Sequence, residues 1–157
     1  MKKIIFVLVC IACSGFAKAE KLRFMLEFGY KEKVFFLDEE SIEKKGKVVR
    51  VWVKEVSNPK FMRPGEANYR MTFWEANCSK KTIQALSSAS FNSSGDGISA
   101  TNQPGDLMKI VPETRGAEYH KMFCNPKFPN VDSLGQSVDN PDEFAKTAFK
   151  VYEEHAK

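Results

Sequence analysis

The sequence predicts an α+β fold, with an antiparallel sheet of about six strands and a C-terminal helix packed on it. Three observations favour this fold. Several segments alternate apolar and polar residues, as strands of a half-buried sheet do. The chain contains 13 phenylalanines, which suit the surface of a sheet. The last segment begins with helix-start signals, namely Asn140 as N-cap, Pro141 at the first helical position and Glu143 three residues after the cap.

The segment from residue 22 to residue 56 predicts three strands. Residues 22–28 alternate and residues 34–37 form a short apolar run. The acidic residues 38–42 predict a turn or a single helical turn, and residues 44–47 a solvated loop. Residues 48–56 give the clearest strand, because valines alternate there with polar and aromatic residues.

The second half predicts the remaining strands and two turns. The segments rich in Asn, Gly, Pro and Ser are predicted to be a loop at residues 58–65 and a turn at residues 92–97. A short connection at residues 77–80 predicts a hairpin between its two flanking strands. The predicted strands of this half are residues 69–77, 81–91, 98–101 and 107–111.

Two helices and a connector complete the predicted fold. Residues 115–123 predict a short helix, and residues 125–139, which have two prolines and little periodicity, an extended connector. The C-terminal helix should pack on the sheet through one apolar stripe. That stripe contains Phe144, Ala145, Ala148, Phe149 and Tyr152.

The N-terminal residues predict export. Lys2 and Lys3 precede an apolar run at residues 4–12, and Ala17-Lys18-Ala19 forms an A-x-A cleavage site. This layout is typical of a secretory signal peptide, here residues 1–19. Residues 20–157 then form a single domain in the periplasm, at the cell surface or outside the cell. Lipid anchoring at Cys13, after lipoprotein-type processing, is the alternative.

Removing the leader changes the charge of the chain. The full chain has a formal net charge of +4, but residues 20–157 contain 21 basic and 20 acidic residues. A strong basic balance would suggest nucleic acid or an anionic membrane as partner. The near-neutral mature segment therefore predicts no nucleic-acid partner. No integral membrane span is expected in the mature form, because the apolar run of the leader is too short for a permanent anchor.

The cysteines remaining in the mature segment predict one disulfide. Cys10 and Cys13 leave with the leader, so Cys78 and Cys124 remain in an oxidising compartment. Two buried free thiols or half of a metal site are the alternatives.

Catalytic groups are scarce in this sequence. The two histidines, His120 and His155, are isolated, and the usual hydrolase, zinc-protease and nucleotide-binding motifs are missing from the sequence. The sequence therefore predicts a non-enzymatic protein without a cofactor or a catalytic or metal site. A small periplasmic enzyme that uses His120 is the alternative.

A mixed basic and aromatic segment provides candidate binding residues. Arg50, Trp52 and Lys54 share one side of the strand at residues 48–56, and the loop at residues 58–65 adds apolar and cationic side chains. Such a mixture can bind a protein surface or an acidic polymer. A solvated strand face is the alternative. The candidate partner-binding residues are Lys47, Arg50, Trp52, Lys54, Phe61 and Arg63.

The order of motifs resembles the surface-adhesin protein E family. Residues 35–42, FFLDEESI, are similar to its YYiDxxSI signature, and residues 110–114, IVPET, to its I-x-P-x-(S/T) turn. Tyr69-Arg70-Met71 and Asn77-Cys78 resemble its strand that ends in the first cysteine, and Phe123-Cys124 its second cysteine. The chain departs from the adhesin pattern at residues 100–105, which contain no lysine or arginine, whereas adhesin members have a lysine-rich stretch in that region.

The resemblance implies an exported α+β domain with one disulfide, and adhesin members bind host matrix and serum proteins. The sequence thus favours an exported protein-binding module, adhesin-like, with a host or envelope protein as partner. A structural component of the envelope is a further alternative.

Overall fold

The computed structural model describes residues 21–25, 31–132 and 134–155. Within these ranges nine strands form one antiparallel sheet, so the predicted α+β fold is confirmed and the predicted number of about six strands is wrong. The helices are α1 (Arg115–Phe123) and α2 (Pro141–His155). The strands are β1 (Leu22–Met25), β2 (Lys33–Asp38), β3 (Glu43–Lys45), β4 (Val48–Ser57), β5 (Tyr69–Asn77), β6 (Thr82–Phe91), β7 (Gly97–Thr101), β8 (Met108–Lys109) and β9 (Leu134–Val138).

The strand order across the sheet is β7-β6-β5-β4-β2-β1-β9. Two short strands lie outside this path, because β3 pairs with one end of β4 and β8 with one end of β6. The hairpin from β5 to β6 is the one that the sequence predicted. Its ladder contains a bulge between Phe73 and Trp74.

The two strands without a predicted counterpart, β3 and β9, lie where the sequence predicted a loop and a connector. Lys44 and Lys45 pair with β4 as part of β3, and the turn that follows contains Gly46 at φ +60°. Glycine adopts this left-handed backbone without strain, so the chain reverses in a tight hairpin. The end of the predicted connector, residues 125–139, forms β9, which pairs with the edge of β1. Its sequence LGQSV has little strand character, so the strand depends on that pairing.

Some predictions concern residues outside the described ranges. The signal peptide, the A-x-A site, the cysteine of the alternative lipid anchor and the end of the predicted first strand at residues 26–28 all lie there. They remain predictions.

The two faces of the sheet bury two separate cores. Val49, Val51 and Val53 of β4 lie on the first face, with the aromatic residues of α1. Phe36 and Val56 lie on the second face, where α2 packs through Ala145 and Phe149. The remaining members of the predicted α2 stripe, Phe144, Ala148 and Tyr152, pack against this second core.

The disulfide joins the end of α1 to the end of β5. Cys78 follows β5 and Cys124 follows α1, and their Cα atoms are 5.5 Å apart across the bond. The predicted Cys78–Cys124 pairing is therefore confirmed. Thr114 caps α1 by accepting a hydrogen bond from the N–H of Ala117. The helix is thus fixed at its first turn by the cap and at its last by the disulfide.

The acidic segment after β2 forms a 3₁₀ turn at Glu39–Ser41, with Asp38 as its N-cap. Glu39 accepts hydrogen bonds from Arg23 at 2.9 Å and from Lys21 at 3.0 Å. Burial favours a higher pKa for Glu39, but these two cations outweigh it and lower the pKa below its usual range. Desolvation has the opposite result at Asp38, whose pKa it raises despite the hydrogen bonds from Glu40 and Ser41.

Replacing Glu39 by glutamine should lower the free energy of unfolding by about 1–2 kcal/mol at neutral pH, because a charged hydrogen-bonded pair is lost. The pKa of Glu39 is lower in the folded than in the unfolded chain, so its stabilisation is present above the unfolded pKa. It disappears as the pH falls through the folded pKa. Urea unfolding of the wild type and Glu39→Gln at pH 7 and in acid should show the difference shrinking.

Asp38→Asn is the control, because the pH dependence of stability that arises from Asp38 has the opposite sign to that from Glu39. Because the folded pKa of Asp38 is raised, protonation of Asp38 favours the folded state, and its contribution is lost as the pH rises through that folded pKa. A difference between wild type and Glu39→Gln that is the same at both pH values would contradict the role assigned to Glu39.

Candidate functional site

An aromatic surface lies on the second face of the sheet, beyond the area that α2 covers. We call it the open-face patch and define it as Arg50, Trp52, Met71, Phe73 and Glu75. Its three apolar members are partly exposed, and among the described residues none of the three belongs to either buried core or its packed border. The patch therefore presents apolar area that the described part of the fold does not use internally.

Two adjacent strands position the aromatic pair at its centre. Trp52 of β4 and Phe73 of β5 are register partners, so their side chains project from the same face. Their ring centroids are 5.1 Å apart and the rings stack at 24°. Directly opposed aromatic residues on neighbouring strands stabilise each other's orientation. The N–H of Trp52 also donates to the Ser41 hydroxyl at 2.9 Å, which fixes this point of β4 against the 3₁₀ turn.

Charged residues border the aromatic pair on one side. The Nε of Arg50 donates to Glu75 at 2.7 Å, and its guanidinium lies 3.9 Å from a carboxylate oxygen of Glu43. Together with Lys45 and Val48, these three residues line a depression of about 280 Å³. Carboxylates on both neighbouring strands thus hold the guanidinium of Arg50 at the edge of the aromatic pair. The result is an apolar centre with a charged rim, the general anatomy of a protein-binding surface.

The structure distributes the six candidate partner-binding residues over four places. Arg50 and Trp52 lie together in the open-face patch. Lys47 lies in the turn between β3 and β4. Phe61 and Arg63 line a different cavity, on the first face of the sheet.

Lys54 is the candidate residue with the least exposed surface, at 7%. Its Nζ lies 3.2 Å from a carboxylate oxygen of Asp142 in the first turn of α2, and 4.5 Å from the ring centroid of Tyr69. Lys54 therefore connects α2 to the sheet.

The cavity beside Phe61 and Arg63 has a volume of about 660 Å³ and a polar lining. Glu55 lies in its wall and accepts hydrogen bonds from Lys33 at 2.6 Å and Arg115 at 3.2 Å. Arg70 contributes a guanidinium that donates to the hydroxyl of Ser90. These residues come from four strands and a helix, so no local sequence pattern could have identified the cavity.

Phe73 and Met71 carry no sequence signal that marks them as candidate residues. The alternation of residues 69–77 places both on one side of their strand, but it does not indicate which strand lies alongside. Only the pairing of β4 with β5 brings Phe73 to Trp52. In the sequence, the alternation of Trp52 with charged residues marks only the members of the patch that lie on β4.

His120, the candidate of the alternative enzymatic reading, lies against the disulfide. Its Nε2 is 3.3 Å from the carbonyl oxygen of Asn77 and 3.5 Å from the Sγ of Cys124. The described residues contain no group of three or more His, Cys, Asp or Glu side chains that could hold a metal ion. Likewise, α1 and α2 fall short of the length and apolar character that crossing a membrane requires.

Comparison with known proteins gives a matching family model and, among the solved structures, matches to Haemophilus influenzae protein E. A family model described as surface-adhesin protein E matches residues 25–125. A structure of Haemophilus influenzae protein E (crystal form II) is 15% identical, covers 57% of this chain and 79% of its own, and has a TM-score of 0.45. A structure of protein E from non-typeable Haemophilus influenzae is 13% identical, covers 78% and 83%, and has a TM-score of 0.43. The search of curated proteins finds no match.

Proposed function

Because this chain belongs to the surface-adhesin protein E family, we propose that it is an exported, non-enzymatic protein that binds a protein partner through the open-face patch. The family model covers most of the described residues, including both cysteines of the disulfide. Export to the periplasm or cell surface agrees with the signal peptide predicted from the sequence and with the oxidised cysteine pair.

The observation that carries this proposal is the stacked pair of Trp52 and Phe73 on a sheet face. Tryptophan and arginine are the residue types most enriched among those that dominate binding energy in protein interfaces. Here Trp52 and Arg50 lie on one strand and point to one side. Because Phe73 and Glu75 hold them in place, little side-chain freedom would be lost on binding.

The surroundings of the patch suit a protein more than a small ligand. The depression beside Arg50 has a volume of only about 280 Å³, and the aromatic pair projects from the face of the sheet. Small ligands are usually enclosed in concave, largely apolar sites. A flat apolar centre with Arg50, Glu43 and Lys45 at its edge matches a partner surface that carries charges of both signs.

Affinity capture tests the proposal. The immobilised oxidised domain is exposed to animal serum and to bacterial envelope extract, and the retained proteins are quantified by mass spectrometry. We expect the wild-type domain to retain a partner, and the Trp52→Ala variant to retain at least tenfold less of it. The reason is that truncating a residue that dominates binding costs about 2 kcal/mol or more of binding free energy. Recovery from serum alone indicates adhesion to a host protein, and recovery from the envelope alone a housekeeping role.

Val151→Ser is the matched control, because Val151 is an exposed apolar residue on α2, outside the patch. It should retain the same partner as the wild type. If Trp52→Ala and Val151→Ser retain every captured protein equally, the open-face patch is not the binding surface.

A further inference from the structure

One end of the sheet gathers eight exposed lysines, and we call this end the basic pole. The sequence shows them as short separate groups, spread over more than 80 positions. The pole consists of Lys44, Lys45, Lys47, Lys80, Lys81, Lys109, Lys121 and Lys127.

Strand pairing brings six of these lysines into one row. Val48 at the start of β4 pairs with Asn77 at the end of β5, and Asn77 pairs with Thr82 at the start of β6. Thr82 in turn pairs with Lys109 of β8. The ends of β3, β4, β5, β6 and β8 are therefore neighbours in that order. At about 4.8 Å between strands, the row extends about 19 Å.

The other two lysines reach the pole through the disulfide and the segment after α1. Cys124 is bonded to Cys78, which precedes Lys80 by two residues, so the last turn of α1 lies above the row. Lys121 belongs to that turn. Lys44 donates a hydrogen bond to the carbonyl oxygen of Phe128 and lies over its ring, so Lys127 is adjacent to the row as well.

The ammonium groups of the pole are not neutralised by the described part of the chain. None of the eight forms an ion pair with a carboxylate of a described residue, whereas Arg23, Lys33 and Arg115 each do. The nearest carboxylates on β3 and β5, Glu43 and Glu75, both face Arg50. The rest of residues 20–157 has 13 basic and 20 acidic residues. A near-neutral net charge thus conceals a strongly polarised molecule.

We propose that the basic pole binds a linear sulfated polysaccharide. A row of lysines fits a flexible chain of closely spaced anions, because each ammonium is a mobile point charge that needs no fixed planar partner. Within the described ranges, the large exposed apolar residues near the pole are Leu107, Met108 and Val111, which lie at its Lys109 border. Membrane-docking surfaces commonly add buried apolar area to the electrostatic attraction of their basic residues. The pole meets the edge of the open-face patch at Lys45, but binding at its other seven lysines does not depend on the proposed protein partner.

Binding of the folded, oxidised domain to heparin, measured as a function of salt concentration, tests the proposal. We expect binding that weakens steeply with salt. Lys47→Gln, Lys80→Gln and Lys109→Gln together should weaken it about 100-fold at low salt, at about fivefold per lysine, the effect of one lysine near an anionic surface. The plot of log affinity against log salt concentration should become less steep, with a slope smaller in magnitude by about three.

The matched control is the triple variant Lys60→Gln, Lys146→Gln and Lys150→Gln, which removes the same net charge from exposed positions far from the pole. It should bind heparin like the wild type, and circular dichroism should show both triple variants folded. Equal losses in the two variants would overturn the proposal, because net charge alone would then explain binding. It would also be overturned if the wild type bound phosphatidylserine vesicles but not heparin, which would make the pole a membrane site.

Discussion

Replacing both Cys78 and Cys124 by serine should lower the free energy of unfolding by about 4 kcal/mol. The bond closes a loop with a sequence separation of 46. In the chain-entropy model a cross-link of this length restricts the unfolded chain by that amount. The folded state also loses a tether, because Cys124 fixes the end of α1 to the turn after β5.

Urea unfolding of the oxidised wild type and of the double variant measures this loss. The wild type treated with a reductant serves as the control, because it loses the bond without any change of side chain. It should match the double variant closely. A loss below about 1 kcal/mol in both would mean that the disulfide does not constrain the unfolded chain as this model requires.

Replacing Phe35 or Phe36 by alanine should each cost about 3–5 kcal/mol, the range for large aromatic truncations in cores. The two residues are neighbours on β2, and both are completely buried. That is unusual for adjacent strand positions, whose side chains point to opposite faces, and it follows from helices or connectors covering both faces. Phe35 belongs to the core under α1 and Phe36 to the core under α2.

The two variants should differ in where the structure loosens. Phe35 lies under the guanidinium of Arg115, the first residue of α1, at 4.6 Å from the ring centroid. The ring of Phe36 instead contacts Phe24 and Phe144 of the second core. Hydrogen exchange should therefore accelerate mainly in α1 for Phe35→Ala and mainly in α2 for Phe36→Ala.

Phe61→Ala is the control for both variants, because Phe61 is 39% exposed and belongs to neither core. Its unfolding free energy should change by less than about 1 kcal/mol. Equal acceleration in both helices for both variants would contradict the separation into two cores.

Local sequence patterns predicted those helices and strands whose own residues show the pattern of a helix or a strand. The bounds of α1 follow from the sequence, and alternation located β4 and β5 to within a residue, because a half-buried strand shows its period of two directly. The pair Cys78 and Cys124 followed from the expected oxidising compartment.

Strands that form only because they pair with another strand could not be predicted from their own residues. Lys44 and Lys45 look like a solvated loop, and they form β3 because the Gly46 turn folds them back onto β4. β9 has little strand propensity and forms at the edge of β1. Lys54 has the sequence context of an exposed residue, yet α2 covers it. For the same reason the basic pole and the Trp52–Phe73 pair were visible only as separate halves.

The two tryptophans of the chain allow the most direct measurement on the open-face patch. Trp52 lies in the patch, whereas Trp74 lies on the opposite face and packs against Tyr119, with ring centroids 5.6 Å apart. Trp74→Phe leaves Trp52 as the only tryptophan, and Trp52→Phe leaves Trp74. The captured partner, in a form without tryptophan fluorescence, is titrated into each variant.

If the patch binds the partner, the emission of Trp52 should shift to shorter wavelength and acrylamide should quench it less at saturation. The emission of Trp74 should stay unchanged. Unchanged emission and quenching of Trp52 at a partner concentration that saturates the domain would contradict binding through this patch.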